Sequence, residues 1–324
     1  MKAIPPYTLC ITIPTYNREK YLQRLLESIV TQEWFTDEVS IIINDGPSKD
    51  NTTQMVADYQ KKYQNITYTR NDIAVGMLPA ILESIDISNG RYTRLFGSDD
   101  FMQEDALKIT LDIIKDNSPT LILSNRTTFT RIDECDIQKT KNVKSLYFNW
   151  FSDFWTYFGL NEEEKYQDKR NYLTFMSVFC FDSNYYKEML EYVKVNVCSL
   201  DELKKHYFNY IVILFAQLFA DKVICIVERP RLVFCQWGNT SREPNKKINQ
   251  DVKMLMDYLK NTYSLPLKCI KLFKRMYFDS YLFGNIIYKI QKIYIFWVII
   301  KSLMRNKTAI SVYTRLTKLV TGSK

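Results

Sequence analysis

Apolar residues along the first 125 positions switch repeatedly between short continuous runs and helical spacing. Leu9 to Pro14 reads LCITIP, a β-rich run, and in the following NREKYLQRLLESIV the residues Leu22, Leu25, Leu26 and Ile29 recur at helical spacing behind Asn17, a capping residue type. VSIIIN, Val39 to Asn44, reads as a continuous apolar strand, and the loop DGPSKDN separates it from a helical stretch carrying Met55, Val56 and Tyr59. Next come a strand Ile66 to Thr69, a helix Leu78 to Ile87, the strand YTRLF, a helix Glu104 to Lys115 and a strand Thr120 to Ser124. Strands that are apolar on both sides belong to sheets covered by helices on both faces, so the expected class is α/β with a mostly parallel central sheet.

Past residue 125 the alternation fades. An aromatic stretch, Phe148 to Gly159, is followed by strand-like segments at Tyr172 to Phe181 and Val223 to Val227 with a helix over Leu203 to Ala220 between them. The final 80 or so residues read as helices, and no internal repeat is evident.

With 46% hydrophobic and 25% charged residues, the 324-residue chain can bury a full core. Seven scattered cysteines without CxxC spacing favour neither a disulfide framework nor a zinc site. Met1 to Asn17 has one lysine, two early prolines and an apolar run too short for a secretory leader, so a cytoplasmic location is expected. The longest apolar candidate for a membrane span, Ile286 to Ile300, is interrupted by Lys289, Gln291 and Lys292. The net charge of +8 is concentrated: residues 265–324 carry twelve Lys or Arg against one acid, Asp279. A basic tail on a slightly acidic body predicts an anionic partner for the tail alone.

Ligands of such sheets bind beyond the carboxyl ends of the strands, which directs attention to the loops TYNR, NDGPSKD and GSDDF. Asp45, directly after a buried strand, suits either a nucleobase or ribose contact or an Asx-turn. Asp99 and Asp100 are adjacent like charges; Mg²⁺ or Mn²⁺ would compensate them, and capping of the helix at Glu104 is the other reading.

Jointly, ITIPTYNR, IIINDGPSKD, the Gly76 region, NGRYTRLFGSDD and VERPRLVFCQWGN (Val227 to Asn239) resemble the family 2 glycosyltransferases of the GT-A fold over about residues 7–241. Within that family the likeness is to bacterial enzymes, abequosyltransferase-like ones among them, that build O-antigen or capsule repeats. The resemblance implies a GT-A domain over residues 1–243, with a nucleotide-sugar half to about 125 and an acceptor half from 126, and a helical extension over 244–324.

By the same resemblance Pro14, Thr15, Tyr16 and Arg18 would line the nucleotide, Asp45 would contact its base, and Arg70, Gly76 and Met77 would close over it. Ser98, Asp99 and Asp100 stand at the family's DXD motif, with Asp99 as the metal ligand and Asp100 assisting. Gly97 occupies the place of the usual first Asp, a departure that weakens the ribose contact. The implied reaction is inverting transfer from a nucleotide-diphosphate sugar, aided by Mn²⁺ or Mg²⁺, to a hydroxyl of a lipid-linked glycan. The family places its base at the start of a helix after the acceptor-side strands, and there CSLDELKKHYFNY offers Asp201, Glu202 and His206, of which His206, the single histidine, and Asp201 are the candidates; each also has a structural reading. Asn239 stands near the family's diphosphate position, and Trp237 beside the acceptor. The rings of Trp150, Phe151, Phe154, Trp155 and Tyr157 suit either sugar stacking or a helix packed into the core.

In the tail, Asn285, Lys289 and Lys292 form a narrow polar stripe on an otherwise apolar helix, as in helices that lie on anionic lipid; packing on the catalytic domain or on a second subunit is the alternative. Nucleic acid is not expected as a partner, since the basic residues alternate with bulky aliphatics and no recognition motif is present. The expected location is therefore peripheral, at the inner face of the cell membrane. A non-catalytic nucleotide- or glycan-binding protein on the same scaffold is the competing reading, motivated by Gly97.

Overall fold

The computed structural model describes residues 6–129, 143–149, 176–196, 223–229 and 232–236. β1 (Tyr7–Thr15), β2 (Val39–Asp45), β3 (Ile66–Arg70) and β4 (Gly90–Leu95) run parallel in the order β3-β2-β1-β4. The sheet continues from β4 through β9 (Phe179–Asp182), β6 (Leu121–Ser124), β10 (Ile224–Arg229) and β8 (Lys144–Phe148), giving eight strands. β9 lies antiparallel between β4 and β6, and β8 antiparallel to β10, so the sheet is mostly parallel as expected. A second sheet has the order β5 (Phe101–Met102), β11 (Val233–Gln236), β7 (Arg126–Phe129). Its three phenylalanines, Phe101, Phe129 and Phe234, form their own buried cluster.

Alternation within the strands assigns the two faces. Ile11, Ile13, Ile41 and Ile43 pack with Leu22, Leu25, Leu26 and Ile29 of α1 (Glu19–Val30), Met55 and Val56 of α2 (Thr52–Gln60), and Leu107, Leu111 and Ile114 of α4 (Ala106–Asn117). Each of these fully buried aliphatic side chains contributes about 1.5–3 kcal/mol. On the opposite face α3 (Met77–Asp86) packs on β1 and β2, and α5 (Ser183–Asn196) on β4 and β9. Polar links accompany that packing: Asn44 Nδ2 donates to the Ala80 carbonyl, and Thr93 Oγ1 is hydrogen-bonded to the hydroxyls of Ser88 and Ser183.

Arg94 is a charge inside the core. It is fully buried on β4, opposite Ile11 and Cys180, and its guanidinium donates to Thr110 Oγ1 of α4 at 2.9 Å and to Ser124 Oγ of β6 at 3.0 Å. Burial pushes its pKa down, which is the electrostatic cost of tying α4 to the sheet through neutral hydroxyls.

Three sequence expectations change. Asn17 does not cap α1: it adopts φ 52, Arg18 occupies the cap position, and the Asn17 side chain turns to another loop. Helix α4 begins at Ala106, after Asp105 at φ 64, so neither Asp99 nor Asp100 caps it. The strand-like stretch ending at Phe181 is a 3-10 turn, Met176–Val178, leading into β9; residues 172–175 lie outside the described residues. The chain divides at Ser264/Leu265, and every described residue belongs to the first unit. The expected extension over 244–324 therefore lies outside the described residues.

Candidate functional site

β1, β2 and β3 deliver their following loops to one edge of the sheet in register, with Thr15 opposite Asp45 and Asp45 opposite Arg70. Backbone and side-chain hydrogen bonds join these loops. Gly46 N–H donates to the Thr15 carbonyl at 2.8 Å, Asn17 N–H to Ser48 Oγ at 2.8 Å, and Lys49 N–H to Asn17 Oδ1 at 2.7 Å. Asn71 N–H reaches the Asp45 carbonyl at 2.8 Å, and Arg70 Nη2 the Ser48 carbonyl at 2.9 Å. Backbone groups that water would otherwise solvate thus pair across loops, and the rim is held as one unit.

Asp45 stands at its centre, 0% exposed. Its Oδ1 accepts from Ser48 Oγ at 2.5 Å and its Oδ2 from Tyr68 Oη at 2.7 Å. Burial raises its pKa, opposed by those two hydrogen bonds and by the Arg70 charge. Tyr68 Oη is pushed up to about 12, chiefly by burial. The carboxylate that the resemblance assigns to the base is therefore engaged on both oxygens, beneath the rim. Above it Tyr16 is 46% exposed, and its ring lies over Gly46: a Cβ there would stand 2.9 Å from Tyr16 Cδ2. An exposed ring set against backbone offers a surface on which a base can stack. Thr15 Oγ1 is buried beside it without a hydrogen-bond partner among the described residues.

Of the remaining predicted residues, Pro14 is buried in β1, and Arg18 is partly exposed with its guanidinium 5.3 Å from the Tyr21 ring centre. Gly76 has φ 86 and occupies the cap position of α3, which begins at Met77. This conformation suits glycine.

The loop after β4 turns sharply, Asp100 N–H donating to the Gly97 carbonyl at 3.0 Å. The two acids part company there. Asp100 is 4% exposed and accepts from Ser177 Oγ, whereas Asp99 is half-buried. Arg126 and Cys235 also face Asp100; burial lowers the Arg126 pKa, and burial followed by the Asp100 charge raises the Cys235 thiol well above its usual value. Arg24 of α1 donates to the Asp99 carbonyl. Ser98 is buried in the same turn.

No group of three His, Cys, Asp or Glu able to hold a metal occurs among the described residues. The donors that are present fit a different arrangement: a single partly buried carboxylate, Asp99, suits a hard cation whose shell is completed by phosphate oxygens and water.

Asp201, Glu202, His206, Trp237, Asn239 and the aromatic residues 150–157 lie outside the described residues. Sequence reasoning missed Ser48, Tyr68, Arg24, Arg126 and Ser177. Ser48 was legible as a turn residue of DGPS; Ser177 is 77 residues from Asp100 and had no local signal.

The description "Glycosyl transferase family 2" matches residues 10–183 of this chain. Abequosyltransferase RfbV of Salmonella typhimurium is 37% identical over 131 residues, 40% of this chain and 38% of that protein. A dolichyl N-acetyl-alpha-D-glucosaminyl phosphate 3-beta-D-2,3-diacetamido-2,3-dideoxy-beta-D-glucuronosyltransferase of Methanococcus voltae is 32% identical over 118 residues, 35% of this chain and 36% of that protein. The matches therefore span less than two-fifths of these relatives. The crystal structure of S. aureus TarS 1-349 in complex with UDP-GlcNAc shares the fold, with a TM-score of 0.57 at 16% identity over 84% of this chain and 73% of that one. The architecture is thus the expected GT-A one. Because the family match extends over more than half of its length, the chain belongs to glycosyl transferase family 2.

Proposed function

We propose that this protein is an inverting glycosyltransferase that moves a sugar from a nucleotide-diphosphate donor to a hydroxyl of a lipid-linked glycan, in O-antigen or capsule synthesis. The observation that carries the reading is the joined rim of three loops, with Tyr16 exposed above buried Asp45, next to a turn that offers the Asp99 carboxylate. Relatives named as an abequosyltransferase and a glucuronosyltransferase support the same class of chemistry.

In this reading Tyr16 stacks on the base, with the Thr15 hydroxyl beside it. Asp45 stiffens the floor through Ser48 and Tyr68, and releasing either hydroxyl frees an oxygen for the base. Asp99 would hold Mn²⁺ or Mg²⁺, which offsets charge developing on the departing diphosphate. The acceptor hydroxyl attacks the anomeric carbon from the face opposite the leaving group. The new C–O bond forms as the bond to phosphate breaks, the hydroxyl proton passes to His206 or Asp201, and the configuration inverts. The basic tail would dock on anionic lipid at the inner membrane face, where a lipid-linked acceptor is presented.

The reading is tested by thermal shift with a panel of nucleoside diphosphates with and without Mn²⁺, then by turnover of nucleotide sugars with a lipid-linked acceptor extract in wild type and Asp99→Ala. Metal-dependent stabilisation, about 2.7 kcal/mol at a hundredfold excess over Kd, is expected for one nucleotide. If no nucleotide stabilises the protein with metal, the reading gives way to a non-catalytic binding protein.

A further inference from the structure

Gly97, Asp100 and Ser177 form a closed hydrogen-bonded unit at the end of β4. Gly97 N–H donates to Ser177 Oγ at 2.8 Å, Ser177 Oγ donates to Asp100 Oδ2, and Asp100 N–H returns to the Gly97 carbonyl at 3.0 Å. Ser177 is 0% exposed and Asp100 4%. From the other side Arg24 donates to the Asp99 carbonyl, with its guanidinium 5.3 Å from the Phe101 ring centre and 5.2 Å from that of Phe129. The Asp99 backbone is thus held by Arg24 and flanked by that unit, and Asp99 is less buried than Asp100.

Position 97 has no spare room. A Cβ at Gly97 would lie 3.2 Å from Asp100 Oδ2, 3.3 Å from Asp99 Oδ1 and 3.2 Å from Met176 Cε. Both carboxylates and the Met176 methyl group already fill the space that a side chain would take.

We infer that Ser177 is a positioning residue for Asp99: by holding Asp100 inward it leaves Asp99 as the one carboxylate of the pair presented to a divalent cation. This inference rests on the transferase reading and deepens it. Arg126 is buried near Asp100, and the Asp100 charge acts on it inside the protein. Gly97 is then a packing requirement of this turn, and restoring an Asp there would press on both carboxylates and weaken metal binding.

Mn²⁺ binding to the full chain, followed by the paramagnetic signal of the free ion with the nucleoside diphosphate that stabilises the wild type, tests this. Ser177→Ala should weaken Mn²⁺ roughly tenfold or more, the usual effect of removing a group that orients a metal ligand. Nucleotide affinity without metal should not change. In an Asp99→Asn background the same substitution should cost nothing further, since its effect runs through Asp99. Gly97→Asp should also weaken Mn²⁺. Wild-type Mn²⁺ affinity in Ser177→Ala overturns the inference and leaves the transferase reading standing. A wild type that binds no Mn²⁺ with any nucleoside diphosphate overturns both. If Ser177→Ala fails to fold, Ser177→Cys, which keeps a side chain of similar shape but offers only a weak donor and acceptor, carries the test, and unchanged Mn²⁺ affinity there overturns the inference.

Discussion

Asp50 closes the first turn of a helix that starts thirty-one residues before it: its Oδ2 accepts the Glu19 N–H at 3.0 Å. Its Oδ1 accepts from the Thr52 N–H at 3.2 Å and from Thr52 Oγ1 at 2.6 Å, at the start of α2. One carboxylate therefore serves the N-termini of two neighbouring helices, and neither helix has a side-chain cap from its own cap residue.

Asp50→Ala is expected to destabilise the domain by about 1–2 kcal/mol, the usual range for a lost cap, as measured by chemical denaturation at neutral pH. Acid should reveal the same carboxylate. Burial acts to raise its pKa, but the hydrogen bonds from Thr52 and Glu19 prevail and hold it below the ordinary value. A depressed folded-state pKa means that its contribution is complete above the unfolded value of about 4 and is lost as pH falls through the folded one. The gap between wild type and Asp50→Ala should close in that acidic window; a gap that stays constant down to the lowest accessible pH would contradict the assignment.

Tyr16 and Gly46 should behave as one unit. Tyr16→Ala removes the stacking surface and is expected to weaken nucleoside diphosphate binding by about 1–3 kcal/mol, roughly five- to 150-fold, by calorimetry. Gly46→Val leaves the ring in place chemically but displaces it, since a Cβ at 46 would reach to 2.9 Å of Tyr16 Cδ2. A similar loss is expected, and combining the two substitutions should cost little more than either.

The base can be separated from its neighbour by kinetics. His206→Ala is expected to lower kcat by about 10²–10⁴-fold with little change in donor KM. Near-normal turnover of that variant would move the role to Asp201.

Membrane docking of the tail predicts flotation with anionic liposomes and none with neutral ones, because each Lys or Arg near a charged surface adds about 1 kcal/mol. A protein that stays in the bottom fraction with both lipid types lacks the docking surface.

Much of the scaffold was written in local periodicity. Leu22, Leu25, Leu26 and Ile29 placed α1, and VSIIIN placed β2 to within one residue of its observed end, since a helix buried on one face displays a spacing and a strand buried on both faces a continuous apolar run. The loop order pointed to the strand ends where Tyr16, Asp45 and Asp99 now stand. Tertiary structure decided which partner each polar group took. Asn17 looked like a helix cap, yet its carbonyl oxygen is taken by Lys49 N–H, a bond that exists because β1 and β2 are neighbours. Asp45 proved buried, with Ser48 from the loop after β2 and Tyr68 from β3 converging on it. Asp99 and Asp100 are adjacent acids in the chain; Ser177, brought beside β4 by the antiparallel strand β9, donates to Asp100, which is buried, while Asp99 is less so. Hydrophobic period is set by residues a turn apart, whereas a hydrogen bond is set by whatever the strand order brings within 3 Å, and that order is a property of the whole fold.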